Sequence, residues 1–370
     1  MLEYVGANYL RQRLVLSILS GKPVRISSIR DNSESPGLNE YEANLLRFLE
    51  KITNGTTTKI NVTGTTLIFR PGLLIGGVID HDCNPQRSIS YLLEVIFFLA
   101  PFCKERVKAT FRGVTNDSSD PTVDFYRLTS LPVMRMFGVL DDLELKVIKR
   151  GFAPEGGGEV FFQCPNPRKL RPLQFFDQGK IKRIRGTAFA SNVSPQIPNR
   201  VIESSRSVLN TYLPDIYIYA DHLKGNAAGK SPGFGIVLTA ETTTGVVLAV
   251  ENSSNPKGQG EPVIPEELGT KTANDLLEEI FNGGCVDSVN QGLAALFMVL
   301  CEQDVSKLMV GSLTDYTIEL LRHIRDFFQV MFKLETKTFD HDEKGGRMGG
   351  DKVIMTCVGI GYSNISKTMR

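Results

Sequence analysis

Apolar positions fall into two recurring rhythms along this chain. Over residues 9–20, Leu10, Leu14 and Ile18 repeat at helical spacing, and Gly21 stands where a helix of that phase would stop. Val24–Ile29 alternates as a strand does. A helix follows through Tyr41–Ile52, and Thr58–Phe69 carries two short strands around Thr63-Gly64. The same order then returns. Ser88–Ala100 reads as an apolar helix, Arg106–Arg112 alternates, Thr122–Gly138 reads as a helix containing Pro132, and strands follow at Leu143–Ile148 and from Val160 to Gln163. Two passes through one plan suggest an internal duplication.

At Lys180–Arg185 the rhythm changes. A strand at Thr187–Ala190, a helix at Pro198–Tyr212 and strands at Ile216–Asp221, Gly235–Ala240 and Gly245–Val250 read as an insert. Helices at Pro265–Phe281 and Asp287–Leu300, a strand at Lys307–Val310, helix Asp315–Phe328 and strands at Val330–Leu334 and Lys352–Ile360 form the third pass. Thr336–Gly350 reads as an exposed mobile loop. The expected organisation is residues 1–184 for the first two units, 185–280 for the insert and 281–370 for the third unit.

Composition narrows the function. The chain has 370 residues, 41% of them hydrophobic, enough for two or three domains with real cores. No run approaches ~18 uncharged apolar residues, so no membrane helix is expected, and the N-terminus lacks the features of a signal peptide. Six scattered cysteines without a C-x-x-C pair argue against zinc and for reduced thiols in an intracellular protein. A net charge of +1 excludes a globally basic nucleic-acid binder, so RNA contact requires a local patch.

The stretch Arg150–Val160, R-G-F-A-P-E-G-G-G-E-V, joins two strands through Pro154 and three consecutive glycines. It belongs to an ordered series of landmarks. They are Ser20-Gly21-Lys22-Pro23, Ile29-Arg30 with Pro36-Gly37-Leu38, and Thr63-Gly64-Thr65-Thr66 before Gly76-Gly77. Next come Gly113-Val114-Thr115-Asn116 with Pro121 and Asp124, then the glycine turn, Gly283-Gly284-Cys285-Val286-Asp287, and Gly359-Ile360-Gly361-Tyr362-Ser363-Asn364. In this series the chain resembles RNA 3'-terminal phosphate cyclases. The resemblance implies an α/β fold of three β-α-β-α-β-β repeats, similar to the C-terminal domain of translation initiation factor three. It also implies a small α/β domain inserted before the last repeat.

Enzymes of that family attack ATP with a histidine, pass AMP to an RNA 3'-phosphate and let the neighbouring 2'-OH close a cyclic phosphodiester. An imidazole of pKa about 6.5 is a competent nucleophile at neutral pH, whereas a phenol near about 10 is not without help. The family histidine follows a G-P-V-T-L-like segment. Here that segment is Gly311-Ser312-Leu313-Thr314-Asp315, and Tyr316 comes next. The family's E-G-G-G-Q is Tyr4-Val5-Gly6-Ala7-Asn8, and the second arginine of I-R-A-G-R is Ser33. The T-A-G-S turn is Pro85-Gln86-Arg87-Ser88, and the D-Q pair after Asp287 is Gly292-Leu293.

Five departures in one site resemble the non-cyclase, cyclase-like branch of eukaryotes. That resemblance implies a nuclear, nucleolar component of the small-subunit processome, acting in pre-rRNA processing toward 18S rRNA. It implies a large ribosome-assembly GTPase as partner, contact with pre-rRNA, no membrane, no cofactor, no metal and no catalytic residue. The alternatives are an endoribonuclease cleaving pre-rRNA with Arg322, His323 and Arg325 near the phosphate, and an active cyclase using Tyr316.

Other motifs have plainer explanations. Gly225–Ser231 (G-N-A-A-G-K-S) mimics a P-loop but has one residue too few between its glycines, and Ser231-Pro232-Gly233 is a poor helix start. His81-Asp82-Cys83 lies on an extended segment, where neighbours point to opposite faces, so a structural role is expected rather than metal binding. On Asp315–Phe328, Tyr316, Leu320, His323 and Phe327 share a stripe that predicts a packed His323. Arg322 and Arg325 lie on another face, available to RNA or to Glu319 and Asp326. Lys180, Lys182, Arg183 and Arg185 form the densest basic run, a candidate for RNA or partner binding or simply a charged strand face, and Arg106, Lys108 and Arg112 alternate similarly.

Overall fold

The computed structural model describes residues 1–256, 258–338 and 349–363. In the first unit, β1 (Leu2–Val5) runs parallel to β2 (Val24–Ser27), with α1 (Leu10–Ser20) as the crossover. Gly21 ends α1 at φ 69° with open space around it, as the sequence predicts. Helix α2 (Glu40–Ile52) starts where the Glu42 carboxylate accepts from the Asn39 N–H at 2.8 Å. The short strands β3 (Thr53–Asn54), β4 (Thr57–Ile60), β5 (Leu67–Arg70) and β6 (Leu73–Leu74) follow.

The second unit holds β7 (Val78–Asp82), α3 (Ser90–Leu99), β8 (Val107–Gly113), α4 (Val123–Met136), β9 (Glu144–Lys149) and β10 (Gly158–Cys164). Sequence reading missed β7, because Val78, Asp80 and Asp82 put a polar, exposed face on a strand that buries only Ile79 and His81. The third unit opens with β11 (Gln174–Phe175), which pairs with a strand more than 130 residues later. The insert comes between them: β12 (Ile181–Ser191), α5 (Gln196–Leu209), β13 (Ile216–Leu223), β14 (Gly233–Thr242), β15 (Val247–Ser253) and α6 (Pro265–Asn282). Then α7 (Gln291–Leu300), β16 (Val305–Val310), α8 (Asp315–Phe328), β17 (Lys333–Lys337) and β18 (Lys352–Val358) complete the unit.

The three sheets are ordered β1-β2-β5-β4, β7-β8-β10-β9 and β11-β16-β18-β17. In each, the first strand is parallel to the second, and the third strand is antiparallel to both of its neighbours. The insert sheet is β13-β12-β14-β15. The insert thus interrupts the third unit after its first strand instead of preceding it, and residues 184/185 and 280/281 fall inside β12 and α6. Within β12, Gly186 looks like a break in sequence but is a packing requirement: a Cβ there would lie 2.7 Å from the Leu238 side chain. Helix α7 starts at Gln291 rather than Asp287, whose carboxylate instead accepts from the Val289 and Asn290 N–H groups in the preceding turn. The final hairpin begins at Lys333 rather than Val330. Of the loop expected at 336–350, residues 339–348 lie outside the described residues, as does Asn364 of the last landmark.

Two helices set the centre. Every residue of α7 is buried, and in α3 all but Glu94 are. Helices apolar all round belong in the middle of a protein. They pack on each other, on α1, α4 and α8, and on residues such as Phe48, Phe69, Phe111 and Phe162 from the surrounding units. The insert has its own smaller core of Ile184, Val201, Leu209, Ile236, Leu238, Leu268 and Leu276.

The glycine turn joins insert to core. Gly156 and Gly157 sit at φ 63° and 77°, where Cβ atoms are disfavoured. Against this turn lies the segment that mimics a P-loop. The Arg150 N–H donates to the Ala227 carbonyl and the Lys230 N–H to the Gly156 carbonyl. A Cβ on Gly229 would stand 2.3 Å from the Gly156 oxygen. The mimic leads into β14, not into a helix, so its glycines serve backbone packing. Arg150, 2% exposed, is ion-paired to Asp124 of α4 at 2.5 Å and to Asp221 of β13 at 2.8 Å, and its guanidinium lies over Phe189.

Candidate functional site

Glu94 is the one charged residue of apolar α3, and even half-buried it needs a partner. Arg11 of α1 supplies one at 2.5 Å. Arg11 also approaches Asp120 at 3.7 Å and lies 4.4 Å over the Tyr91 ring. Asp120 in turn receives a bidentate pair from Arg87 at 2.6 and 2.7 Å. Arg30 grips Glu42 in the same way at 2.6 and 2.8 Å.

Tyr316, at the first turn of α8, is placed by the Thr314 cap, whose hydroxyl accepts from the Thr317 N–H. Its own hydroxyl donates to Glu94. Burial, then the Glu94 carboxylate, push the Tyr316 phenol well above its ordinary range. Two cavities meet here, and Arg11 and Tyr316 line both. One, of about 270 Å³, is mostly apolar, with Phe97, Phe98, Pro121 and Leu293 in its wall. The other, of about 210 Å³, is polar, between Arg30, Tyr41, Arg87 and Tyr91.

About two turns further along α8, His323 is 3% exposed. The Gln12 carbonyl oxygen can only accept, so the 2.9 Å contact places a proton on Nδ1 of His323 and leaves Nε2 to accept from Arg13 at 3.4 Å. Gln12 also donates to the Tyr316 carbonyl at 2.9 Å. Burial and the adjacent Arg13 lower the His323 pKa to about 4, so the ring is neutral at physiological pH. Tyr4 closes this corner, edge-on to His323 and 4.6 Å under the Arg13 guanidinium.

The structure brings the departures at Tyr4 and Tyr316 together around Gln12, Arg13 and His323. It separates His323 from Arg322 and Arg325. Both arginines are exposed, Arg322 on Glu319 and Arg325 3.5 Å from Asp326. The grouping of all three around one phosphate, which the endonuclease alternative required, is therefore corrected: His323 lies one position from Arg322 and two from Arg325, spacings that do not share a helix face, whereas the two arginines are i and i+3 to each other. Lys180 and Lys182 are exposed, whereas Arg183 pairs with Glu241 and Arg185 with Asp215. His81 is buried beneath α2, its Nε2 3.0 Å from Asn44, while Asp80 and Asp82 face outward onto Arg112. Arg106 pairs with Asp142 at 2.8 Å. Sequence reading missed Arg11, Arg87, Glu94 and Asp120. The lone carboxylate inside an apolar helix was the available signal for Glu94. The others needed the fold.

Comparison with known proteins places this arrangement. The family model described as RNA 3'-terminal phosphate cyclase matches residues 2–334. The chain is 56% identical to the human RNA 3'-terminal phosphate cyclase-like protein, over 100% of this chain and 98% of that one. It is 48% identical to a probable RNA 3'-terminal phosphate cyclase-like protein of Dictyostelium discoideum, over the full length of both. It is 40% identical to the rRNA processing protein rcl1 of Schizosaccharomyces pombe, over 100% of this chain and 98% of that one. The chain therefore belongs to the RNA 3'-terminal phosphate cyclase family, in its eukaryotic cyclase-like branch.

Proposed function

We propose that this chain is a cyclase-fold protein without cyclase activity that serves as a binding component in the processing of pre-rRNA toward 18S rRNA. The observation that carries this reading is the state of Tyr316. Its phenol stands where the family places a nucleophilic imidazole, and its hydroxyl is bound to Glu94 with its pKa raised. A group that holds its proton this firmly does not attack ATP at neutral pH. The arginines around the cleft are also committed. Arg11, Arg30 and Arg87 each pair with a carboxylate of the chain itself, so a triphosphate would have to displace Glu94, Glu42 and Asp120.

The processing role is supported by the name of the fission-yeast relative. We further propose that the chain acts in the nucleolus, in the small-subunit processome, bound to a large ribosome-assembly GTPase, as the family resemblance implies. No helix of the described residues is long and apolar enough to cross a membrane. The endonuclease alternative loses its general base, because His323 is buried and its two ring nitrogens are engaged by Gln12 and Arg13.

Incubating the purified chain with labelled ATP and magnesium tests the loss of chemistry, and no adenylated protein is expected. A covalent AMP adduct that turns over on a 3'-phosphate RNA would overturn the reading. Depleting the protein from cells tests the role, with accumulation of 18S precursors and rescue by a Tyr316→Phe variant as the expected outcome.

A further inference from the structure

The insert sheet has two unlike faces. In its register Ile184 lies beside Ile216 and Gly186 beside Ile218. Ile184, Ile216 and Ile218 are buried in the small core under α5 and α6. The alternate pairs, Arg185 beside Tyr217 and Thr187 beside Tyr219, therefore point the other way. On the β14–β15 side this second face is covered by α4, where Val237 and Ala249 join the main core. On the β12–β13 side it is open. Tyr217 and Tyr219 are 54% and 57% exposed, two positions apart on the edge strand, with ring centroids 4.5 Å apart and ring planes at 83°.

Folding does not ask for this pair. An exposed edge strand is better served by Lys, Thr or Pro, which discourage pairing with other chains. Cations line the same edge. Arg183 and Arg185 share the face with the tyrosines, Lys182 is exposed at the irregularity between Ile181 and Arg183, and among the described residues Asp215 and Glu241 pair with this group. Three cations against two carboxylates leave a positive margin beside a strip of aromatic surface. An acidic peptide would draw on the cations and leave the rings unused. A duplex hides its base faces. Unpaired nucleotides use both features, bases on the rings and phosphates along the cations.

We propose that the open β12–β13 face of the insert is a docking strip for single-stranded RNA. Bases stack on Tyr217 and Tyr219, and phosphates follow Lys182, Arg183 and Arg185. This rests on the reading that the chain works on pre-rRNA, and it goes beyond that reading in naming the site and the strandedness of the ligand.

The test is fluorescence anisotropy with the full chain and a labelled, unstructured RNA oligonucleotide, with the same sequence annealed to its complement as a second arm. The expected result is salt-sensitive binding to the single strand and at least about tenfold weaker binding to the duplex. Tyr217→Ala/Tyr219→Ala should weaken single-strand binding by about tenfold or more, while Tyr217→Phe/Tyr219→Phe keeps it within about twofold. Matching melting curves for the two variants exclude unfolding as the cause. Unchanged affinity in the alanine variant overturns the proposal and leaves the processing role standing, with RNA bound elsewhere. Loss of binding to an acidic peptide, with RNA affinity unchanged, overturns it in favour of a protein partner. Failure of depleted cells to accumulate 18S precursors would instead remove the processing role itself.

Discussion

At position 316 the chain carries a phenol where the proposed reading sets a family imidazole, and the consequences of that side chain are local and measurable. Tyr316→Phe deletes one hydrogen bond to Glu94 while Arg11 still pairs with that carboxylate. The expected loss is about 1–2 kcal/mol in urea denaturation. Tyr316→His restores the family's reacting group alone. It is expected to give no adenylated protein in the labelled-ATP assay, because Arg11 and Arg87 remain paired and Tyr4 occupies the place of the family's N-terminal carboxylate. His323 gives a pH signature. Its folded pKa of about 4 lies below the unfolded value of about 6.5, so between these the unfolded chain takes up a proton that the folded chain refuses. Its contribution is therefore complete above about pH 6.5 and lost as pH falls toward about 4, on the order of 1–3 kcal/mol. Stability curves across that window should flatten in His323→Gln. The share of His81 remains, since its pKa is also lowered to about 4 by burial and Lys51.

At the scale of elements, α8 has two unlike faces. Leu320, His323, Ile324 and Phe327 hold it to the core, and Arg322 and Arg325 leave it. Arg322→Ala/Arg325→Ala should change the melting free energy by no more than about 0.5 kcal/mol, because exposed pairs contribute little. If this face meets the partner or RNA, the same double variant loses binding in a pull-down without losing fold. The segment that mimics a P-loop makes a second contrast. Gly225 has φ 63° and open space, so Gly225→Ala should cost about 1 kcal/mol for its backbone conformation. Gly229 is jammed against Gly156 and Gly151, so Gly229→Ala should cost about 1–3 kcal/mol more through overpacking. Thermal melts of the two variants decide whether these glycines serve docking of the insert.

Across the whole molecule, Arg150 is the tie between core and insert, buried between Asp124 of α4 and Asp221 of β13. Arg150→Met leaves Asp124 buried without its strongest partner and is expected to cost about 3–5 kcal/mol. Hydrogen exchange should rise in residues 150–158 and 225–233 together. The order of elements was legible in the sequence, because helical and strand periodicity report which side of each element is apolar. The bounds of α8 were read to the residue. The ordered landmarks also identified the family, and residue identity alone put a phenol at position 316, since a side chain's pKa class travels with its identity. What the sequence left open depended on contacts between distant residues. β11 is two residues long and becomes a strand only because β16 lies beside it. The lattice of Arg11, Glu94, Asp120 and Arg87 draws its members from three separate stretches of chain. The turn Arg150–Val160 and the segment Gly225–Gly233 look like two independent loops until the fold presses one against the other. Periodicity encodes each element's own burial, but pairing across the chain is fixed only when those elements pack.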